Sequence, residues 1–390
     1  MKKATFIIGN GMDLALGMKT KYIHFYEELI HPFSSNEYIY RLQNNVFKAI
    51  ADARANDHFP NLEMWNDFEV ELGKCSELYN KGEIHGYLQA FSYAARLLND
   101  YLKKECEKYD WEATTTIDNN INARKFVNSL VNFDEALDND GFRINLKLSF
   151  EKERNIISLN YTNTLKELLN TAAVRDIKLP SIKTTYLHGE IDNYLTVGVG
   201  DIADIKNTDF HSDPRIGSLV VKNNYRRLVD GQDIDDEDSR YLDAKNQLDE
   251  SDIVAIFGTS LGESDAHLWN MVLDWFFTDK SNKLIIFIYD EELSKTGIVH
   301  KVDPLDVYAE KVEKRNKHRG IIEEHNKKIF ANSRCTGDKS VSLCAKEHCI
   351  NTESPRSCIN DERPCKKKLE NYKVQINAKL FDFALEEKTP

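Results

Sequence analysis

Near-continuous apolar runs are the feature that most constrains how this chain can fold. Residues 253–257 read Ile-Val-Ala-Ile-Phe, residues 284–288 read Leu-Ile-Ile-Phe-Ile, and a shorter run, Phe-Ile-Ile, occupies residues 6–8. A strand has this composition when both of its faces are covered, as in a parallel sheet between layers of helices. Since helical stretches separate the runs, we predict an α/β fold with a doubly wound, mostly parallel, Rossmann-like sheet.

The predicted sheet is interrupted by a long helical region. Apolar residues at positions 88, 91, 95, 98 and 101 have helical spacing, and no convincing strand occurs between about 36 and 145. We therefore predict a core formed by residues 1–35 and 146–300, an all-α insertion at 36–145, and a helical, Cys-rich extension at 301–390.

Charge and composition narrow the possible partners. The formal net charge of -12 makes nucleic acid an unlikely partner, because a phosphate backbone attracts basic surfaces. No run approaches the ~20 apolar residues of a membrane span, and no signal-peptide cleavage site follows the first strand. We expect a cytoplasmic protein that does not contact a membrane.

The cysteines do not have the spacing of a strong metal site. Five of the seven lie between residues 335 and 365, and none forms a C-x-x-C pair. Free thiols are the favoured interpretation in a reducing compartment, and we predict no bound metal.

Glycines and polar side chains follow each predicted strand. The carboxyl ends of parallel strands meet at one edge of a sheet, where ligands bind and helix N-termini offer free amides to phosphate. We therefore predict a nucleotide pocket there. Its predicted binding residues are Gly9, Asn10, Gly11, Asp13, Gly189, Gly198, Gly258, Thr259, Ser260 and Asp265.

Two of these segments have a structural interpretation beside the functional one. The Gly9 to Gly11 turn is half of a G-x-G-x-x-G motif, with Leu14 at the third glycine position, so it is either a phosphate contact or simply a tight turn. Asp13 can cap the following helix or bind a ribose hydroxyl. Hydroxyls after Gly258 suit a phosphate, whereas Asp265 suits a ribose or a helix cap.

Asn160 and His188 are the predicted catalytic residues. An asparagine at a strand end can hold a ribose or an attacking water, although it can also simply form a turn. Histidine titrates near neutral pH and can take a proton from a hydroxyl or water, although most single histidines are structural or exposed.

An acidic group in the helical region is a separate candidate. Asp67 and Glu71 lie one helical turn apart around Glu69, within the segment Trp-Asn-Asp-Phe-Glu-Val-Glu. Such carboxylates can hold Mg²⁺ or act as acid and base, whereas a solvated helix face is the ordinary explanation.

Several of these motifs together resemble the bacterial abortive-infection family AbiH. The similar segments are Ile8 to Tyr22, Trp65 to Glu69, Asn160 to Thr162, His188-Gly189 and Gly258 to Asp265, and they cover roughly residues 1–300 in order. AbiH proteins are in turn distantly similar to sirtuin-like NAD-binding domains. That resemblance implies that Asn160 lies near a nicotinamide ribose, that His188 is a base acting on ribose hydroxyls, and that Gly258 to Ser260 hold the dinucleotide.

The same resemblance implies a function in defence. Sirtuin deacetylases carry a four-cysteine zinc module after the His-Gly motif. Since no cysteine lies between Cys106 and Cys335 in this chain, protein deacetylation is not expected. The expected activity is cleavage of the nicotinamide–ribose bond of NAD during phage infection, with a phage-derived trigger and a homo-oligomer as possible partners. The alternatives are a nucleotide sensor without turnover and a metal-dependent nuclease or nucleotide hydrolase using Asp67, Glu69 and Glu71.

Overall fold

A six-stranded sheet, in which all neighbouring strands are parallel, forms the centre of the protein. The computed structural model describes residues 3–22, 24–25, 35–44, 68–109, 111, 117–133, 153–191, 194–222, 228–229, 232–233, 239–259, 263–279, 281–288 and 372–376. The strands are β1 (Ala4–Ile8), β2 (Arg154–Ser158), β3 (Ile182–Tyr186), β4 (Ile253–Phe257), β5 (Lys283–Ile288) and β6 (Tyr372–Ile376). The predicted α/β class with a parallel sheet is confirmed.

The first strand lies in the middle of the sheet. The spatial order is β6, β5, β4, β1, β2, β3, so the direction of strand addition reverses between β1 and β4. Phe6 of β1 is level with Ile156 of β2 and Ala255 of β4. All five residues of β1 are buried, as expected for a strand covered on both faces.

Alternate residues of the strands enter two separate apolar layers. One layer contains Phe6 and Phe257 and packs against helices of the 68–133 region and the helix after β2. The other contains Ile7 and Ile256 and packs against the helices that flank β4 in the chain. The apolar runs are therefore continuous because each face of the sheet has its own core.

Nine α-helices lie within the described residues. The longest, at residues 84–107, buries Leu88, Phe91, Leu98 and Tyr101 of the predicted stripe and leaves its fifth member, Ala95, half-buried. The helices are α1 (Gly11–Ala15), α2 (Glu37–Leu42), α3 (Phe68–Lys74), α4 (Ile84–Glu107), α5 (Ile117–Val131), α6 (Thr164–Val174), α7 (Pro214–Leu219), α8 (Ser239–Asp249) and α9 (Ala266–Thr278). Among them, none is long and apolar enough to cross a membrane.

One short segment lies outside the sheet, and another differs from its predicted structure. Of residues 195–200, only Leu195 lies in a strand, in a short antiparallel pair, while Val199 makes an isolated bridge to Val221. Residues 372–376 form β6, although residues 301–390 were expected to be helical. Their apolar side chains alternate, at Tyr372, Val374 and Ile376, which is the spacing of a strand.

Candidate functional site

The predicted site residues follow four strands that are neighbours in the sheet. Gly9 follows β1, Asn160 lies two residues after β2, His188 lies two residues after β3, and Gly258 follows β4. Since these strands are adjacent in the order β4, β1, β2, β3 and all parallel, their carboxyl ends lie along one edge. The fold thus collects these segments as predicted for an open parallel sheet.

Glycines allow the turns after β1 and β4 to touch. A Cβ on Gly11 would lie 2.3 Å from the Cα of Gly258, and Gly258 has a φ of +67°. The Gly11 amide donates to the Gly258 carbonyl at 2.8 Å, the Gly9 amide to the Phe257 carbonyl at 2.9 Å, and the Met12 amide to the Gly9 carbonyl at 3.1 Å. Close packing of two backbones therefore accounts for these glycines, and phosphate contact at this turn stays a prediction.

The side chains of Asn10 and Met12 also face protein. Asn10 Nδ2 donates to the Thr20 carbonyl at 2.9 Å, and the Thr20 hydroxyl donates back to Asn10 Oδ1. Met12 is fully buried in the apolar layer that contains Phe6. The Met12 side chain therefore points into the core and not across the turn.

Asp13 is a buried carboxyl with one unsatisfied oxygen. Its side chain is 1% exposed, and Oδ2 accepts a hydrogen bond from Thr162 Oγ1 at 2.8 Å. Oδ1 has no hydrogen-bond partner among the described residues. Burial raises the pKa of Asp13 to about 6. The hydroxyls of Thr164 and Thr162 and the amide of Asn160 act in the opposite direction but do not outweigh burial.

Three polar residues at helix starts do not cap their helices. Asn10 precedes α1 without a capping bond, so Asp13 lies in the first turn and does not cap that helix. Helix α6 begins after Asn163, again without a side-chain cap, because the Thr162 hydroxyl is directed at Asp13. Asp265 does precede α9, but its carboxylate faces other side chains and not the helix amides.

Asn160 is a second buried polar side chain that lacks partners. It is 3% exposed, and neither Oδ1 nor Nδ2 has a hydrogen-bond partner within the described part of the chain. Its side-chain amide is close enough to Asp13 to lower the pKa of that carboxyl, and its backbone amide donates to Ser158 Oγ at 3.3 Å. We call Asp13 and Asn160 the unpartnered pair; buried amides and carboxyls without partners are costly in native proteins and usually mark a ligand or water site.

His188 lies between a carbonyl and a carboxylate. Its Nδ1 is 3.0 Å from the Leu159 carbonyl oxygen, and since a carbonyl only accepts, Nδ1 carries the hydrogen. Its Nε2 is 2.9 Å from Asp265 Oδ1. The carboxylate therefore occupies the position from which a substrate hydroxyl would reach His188.

Asp265 is joined to a fully buried lysine. Lys222 Nζ lies 2.9 Å from Asp265 Oδ1 and 2.7 Å from Glu69 Oε2, with no exposed surface on the lysine side chain. Burial alone would lower the pKa of Lys222, but the two carboxylates outweigh it and raise that pKa. Burial alone would raise the pKa of Asp265. Lys222 and His188 outweigh burial and hold the pKa of Asp265 well below its usual range.

Glu69 brings the helical region into the site. Its Oε1 accepts from the Gly198 amide at 3.1 Å and from the Tyr161 hydroxyl at 2.8 Å. Burial, aided by Glu69, raises the pKa of Tyr161. We call His188, Asp265, Lys222 and Glu69 the ion-paired cluster; it links the loops after β3 and β4 to helix α3.

The acidic candidates for a metal site separate in the structure. Glu69 faces Lys222, whereas Glu71 pairs with Lys74 on the same helix, and Asp67 lies outside the described residues. Within the segments that the structure describes, no three His, Cys, Asp or Glu side chains are grouped to hold a metal ion. The cysteines at 335–365 lie outside those segments.

The remaining predicted residues have distinct surroundings. Gly189 has a φ of +77° and pairs with Leu195, and Gly198 lies so close to the Val220 carbonyl that a Cβ would be 2.3 Å from its oxygen. Thr259 Oγ1 is buried without a partner among the described residues, like the atoms of the unpartnered pair. Ser260 lies outside the described residues.

Lys222 is the main site residue that the sequence did not predict. It follows Val220 and Val221, and nothing local distinguishes it from a surface lysine after an apolar segment. Tyr161 carried a signal, because it lies within the Asn-Tyr-Thr segment that resembles AbiH. Glu69 was identified for a different role, in a metal site.

Comparison with known proteins identifies the family. A model of the family described as Bacteriophage abortive infection AbiH matches residues 5–288, from β1 to the end of β5. No curated protein and no solved structure matches the chain. The match includes both the ion-paired cluster and the unpartnered pair and covers well over half of the 390 residues. The chain therefore belongs to the AbiH family of bacteriophage abortive infection proteins.

Proposed function

We propose that the protein binds a nucleotide at the carboxyl edge of a Rossmann-like, sirtuin-like sheet. The strand order along the sheet, 3-2-1-4-5-6, is that of the doubly wound dinucleotide-binding folds. In those folds the ligand lies where the order reverses, which here is the junction of β1 and β4. The Gly11 to Gly258 contact lies at this junction, and the loops that carry Asn160 and His188 follow the two strands beyond it.

The ion-paired cluster supports recognition of a ribose. Asp265 is the most exposed residue of the cluster, at 17%. Its Oδ1 already lies 2.9 Å from both Lys222 Nζ and His188 Nε2. Its Oδ2 has no hydrogen-bond partner in the described segments and can accept from a ribose hydroxyl, as an acidic residue does in many dinucleotide sites. In this geometry His188 is a positioning residue that keeps Asp265 ionised and oriented.

The proposed reaction is hydrolysis of the nicotinamide–ribose bond of NAD. Breaking that bond leaves positive charge on the ribose, and a fixed carboxylate such as Asp265 stabilises such charge where it develops. Asn160 would hold the attacking water. The observation that carries this proposal is an ionised, partly exposed Asp265 that pairs with a buried lysine, at the same edge of the sheet as a buried Asn160 amide that has no hydrogen-bond partner among the described residues.

Loss of NAD would connect this activity to abortive infection. An infected cell that loses its NAD cannot support phage replication, so a phage-derived trigger is the proposed activating partner, with a homo-oligomer as a possible active form. Gly189, Gly198 and Thr259 are the further residues that we propose to line the nucleotide site.

Nicotinamide release from NAD is the direct test. The purified full chain is incubated with NAD, alone and with lysate from phage-infected cells, and nicotinamide is quantified by chromatography. We expect release by the wild type and a loss of at least about 100-fold in Asp265→Asn, because fixed charge in a site commonly contributes this much. Asp249→Asn, which removes an exposed carboxyl from α8, is the matched control. Absence of release with every lysate would contradict the proposal.

A nucleotide sensor without turnover is the second candidate. It is favoured by the geometry of His188, whose two ring nitrogens both face protein groups. Cells producing the wild type are challenged with phage, and their NAD content is measured beside their survival. An enzyme should protect with a fall in NAD, whereas a sensor should protect with the NAD content unchanged.

A further inference from the structure

Two carboxyls at the edge of the sheet have opposite surroundings. Asp265 lies against Lys222 and His188, which favour its ionised form. Asp13 lies against two hydroxyls and an amide, and no charged group of the described residues contributes to its pKa. Carboxyl pairs whose environments differ in this way commonly divide fixed-charge and proton-transfer roles between them.

The two carboxyls are connected through a short series of contacts. The amide of Asn160 adjoins Asp13 and acts on its pKa. Leu159, the residue before Asn160, accepts the hydrogen bond from His188 Nδ1, and His188 Nε2 faces Asp265. The unpartnered pair is thus connected, through the backbone of Leu159 and the ring of His188, to the partly exposed carboxylate that we propose to face the ribose.

The polar atoms of the unpartnered pair suit a water molecule. Asp13 Oδ1 accepts, Asn160 Nδ2 donates and Asn160 Oδ1 accepts. All three atoms are buried, and none has a well-formed hydrogen bond in the described part of the chain, although the Asn160 amide is near enough to Asp13 to lower its pKa. A buried water typically makes about three hydrogen bonds to such groups. Thr162 fixes the orientation of the carboxyl by donating to its other oxygen at 2.8 Å.

We propose that Asp13 and Asn160 bind the water that attacks the ribose, and that Asp13 accepts its proton; this rests on the proposed hydrolysis of NAD. The C1′–N bond of NAD breaks and its electron pair leaves with nicotinamide, which becomes neutral. The water oxygen bonds to C1′, and its proton moves to Asp13 Oδ1 and later to solvent. The products are ADP-ribose, nicotinamide and one proton, so the step needs no other reactant.

Asp13 is surrounded by side chains that do not titrate near neutral pH, so the pH dependence of the rate can report on Asp13 itself. The side chains that act on it are Thr162 and Thr164 from the loop and start of α6, and Asn160 from the end of β2. None of these titrates near neutral pH. The nearest charged groups of the site, His188 and Asp265, lie beyond Asn160 and are paired with each other.

The test compares nicotinamide release at pH 5 to 8 by the wild type and Asp13→Asn, which keeps the size of the side chain. We expect the wild-type kcat to fall about tenfold per pH unit below about pH 6, where Asp13 becomes protonated. Asp13→Asn should lose at least about 100-fold in kcat at pH 7.5, should lose the acid limb, and should keep its KM for NAD. Asp249→Asn should behave as the wild type.

Azide distinguishes proton acceptance from a structural role. It attacks carbon without losing a proton, so azide should restore at least about tenfold of the lost rate in Asp13→Ala and yield a ribosyl azide. An active wild type with an unaffected Asp13→Asn, or with an unchanged acid limb in that variant, would overturn the role of Asp13 alone. Failure of azide to rescue Asp13→Ala would do the same. A wild type that releases no nicotinamide with any lysate would overturn the proposed function and this inference with it.

Discussion

The ion-paired cluster and the unpartnered pair occupy the same edge of the sheet but are built in opposite ways. In the first, Lys222 offsets two carboxylates within 2.9 Å and His188 faces one of them. In the second, three buried polar atoms have no partners among the described residues. A buried charge must be paired to persist, whereas an unpaired neutral amide can be retained where a ligand completes it. The first cluster is therefore a framework, and the second is the place for a reactant.

Removal of Lys222 should have the largest effect on this framework. Lys222→Met leaves Glu69 and Asp265 as buried carboxylates without their shared cation, which typically costs about 3–5 kcal/mol. We expect that loss in the free energy of unfolding, measured by urea denaturation. Lys245→Met removes an exposed lysine that pairs with Asp249 and should change stability by less than about 0.5 kcal/mol.

A double substitution sharpens this comparison. Lys222→Met combined with Glu69→Leu removes one buried carboxylate together with the cation. The double variant should be more stable than the sum of the single losses predicts, because contacting charges are not additive. Additive losses would mean that the cluster does not act as one unit.

The pH dependence of stability should distinguish Asp13 from the ion-paired cluster. Its pKa is raised from 3.8 to about 6, so between these values the folded state holds a proton that the unfolded state has lost, and stability falls as pH rises. The full difference is about 3 kcal/mol. Asp13→Asn lacks this titration. The free energy of unfolding of Asp13→Asn minus that of the wild type should therefore increase by about 2–3 kcal/mol from pH 4 to pH 7. Urea denaturation at both pH values measures it, and an equal difference at both would refute a buried carboxyl.

The contact between the two glycine turns should have a smaller effect. Gly258→Ala adds a Cβ 2.6 Å from the Gly11 Cα at a φ of +67°, so we expect a loss of about 2 kcal/mol. Gly217→Ala is the matched control, because a Cβ there meets nothing within 4 Å inside α7 and should stabilise by about 0.5–1 kcal/mol. Equal effects of the two substitutions in thermal unfolding would show that the turns do not depend on close contact.

Local patterns predicted the strands but not the side-chain pairs. The apolar runs at β1, β4 and β5 identify buried strands because burial on both faces leaves no polar position. The residues after those strands were then predictable from the geometry of parallel sheets alone. By contrast, Lys222 meets Glu69 across 153 positions, and Thr162 meets Asp13 across 149. Such pairs depend on how distant segments pack, which local propensity does not encode.

The same limit explains the predictions that were wrong. A cap was one of the two interpretations of Asp13 and of Asp265, because both lie at helix starts, where an oxygen normally caps free amides. In the structure each finds a side chain from another segment, since burial makes those tertiary partners more favourable than a local cap. Strand β6 was missed for a related reason, because a short alternating segment forms a strand only where an open edge such as β5 accepts it.

Substitution of Asn160 should change stability least and function most. Asn160→Leu replaces a buried amide that has no well-formed hydrogen bond in the described part of the chain with an apolar group of similar size, so little hydrogen-bond energy is lost. We expect a change within about 1 kcal/mol in urea denaturation, together with loss of nicotinamide release. Asn122→Leu is the contrasting control, because that equally buried amide donates to the Tyr109 hydroxyl at 3.4 Å and its loss should be more destabilising. A destabilisation of Asn160→Leu equal to that of Asn122→Leu would mean that the protein itself uses the Asn160 amide. The unpartnered pair would then belong to the framework, and the two parts of the site would no longer differ in kind.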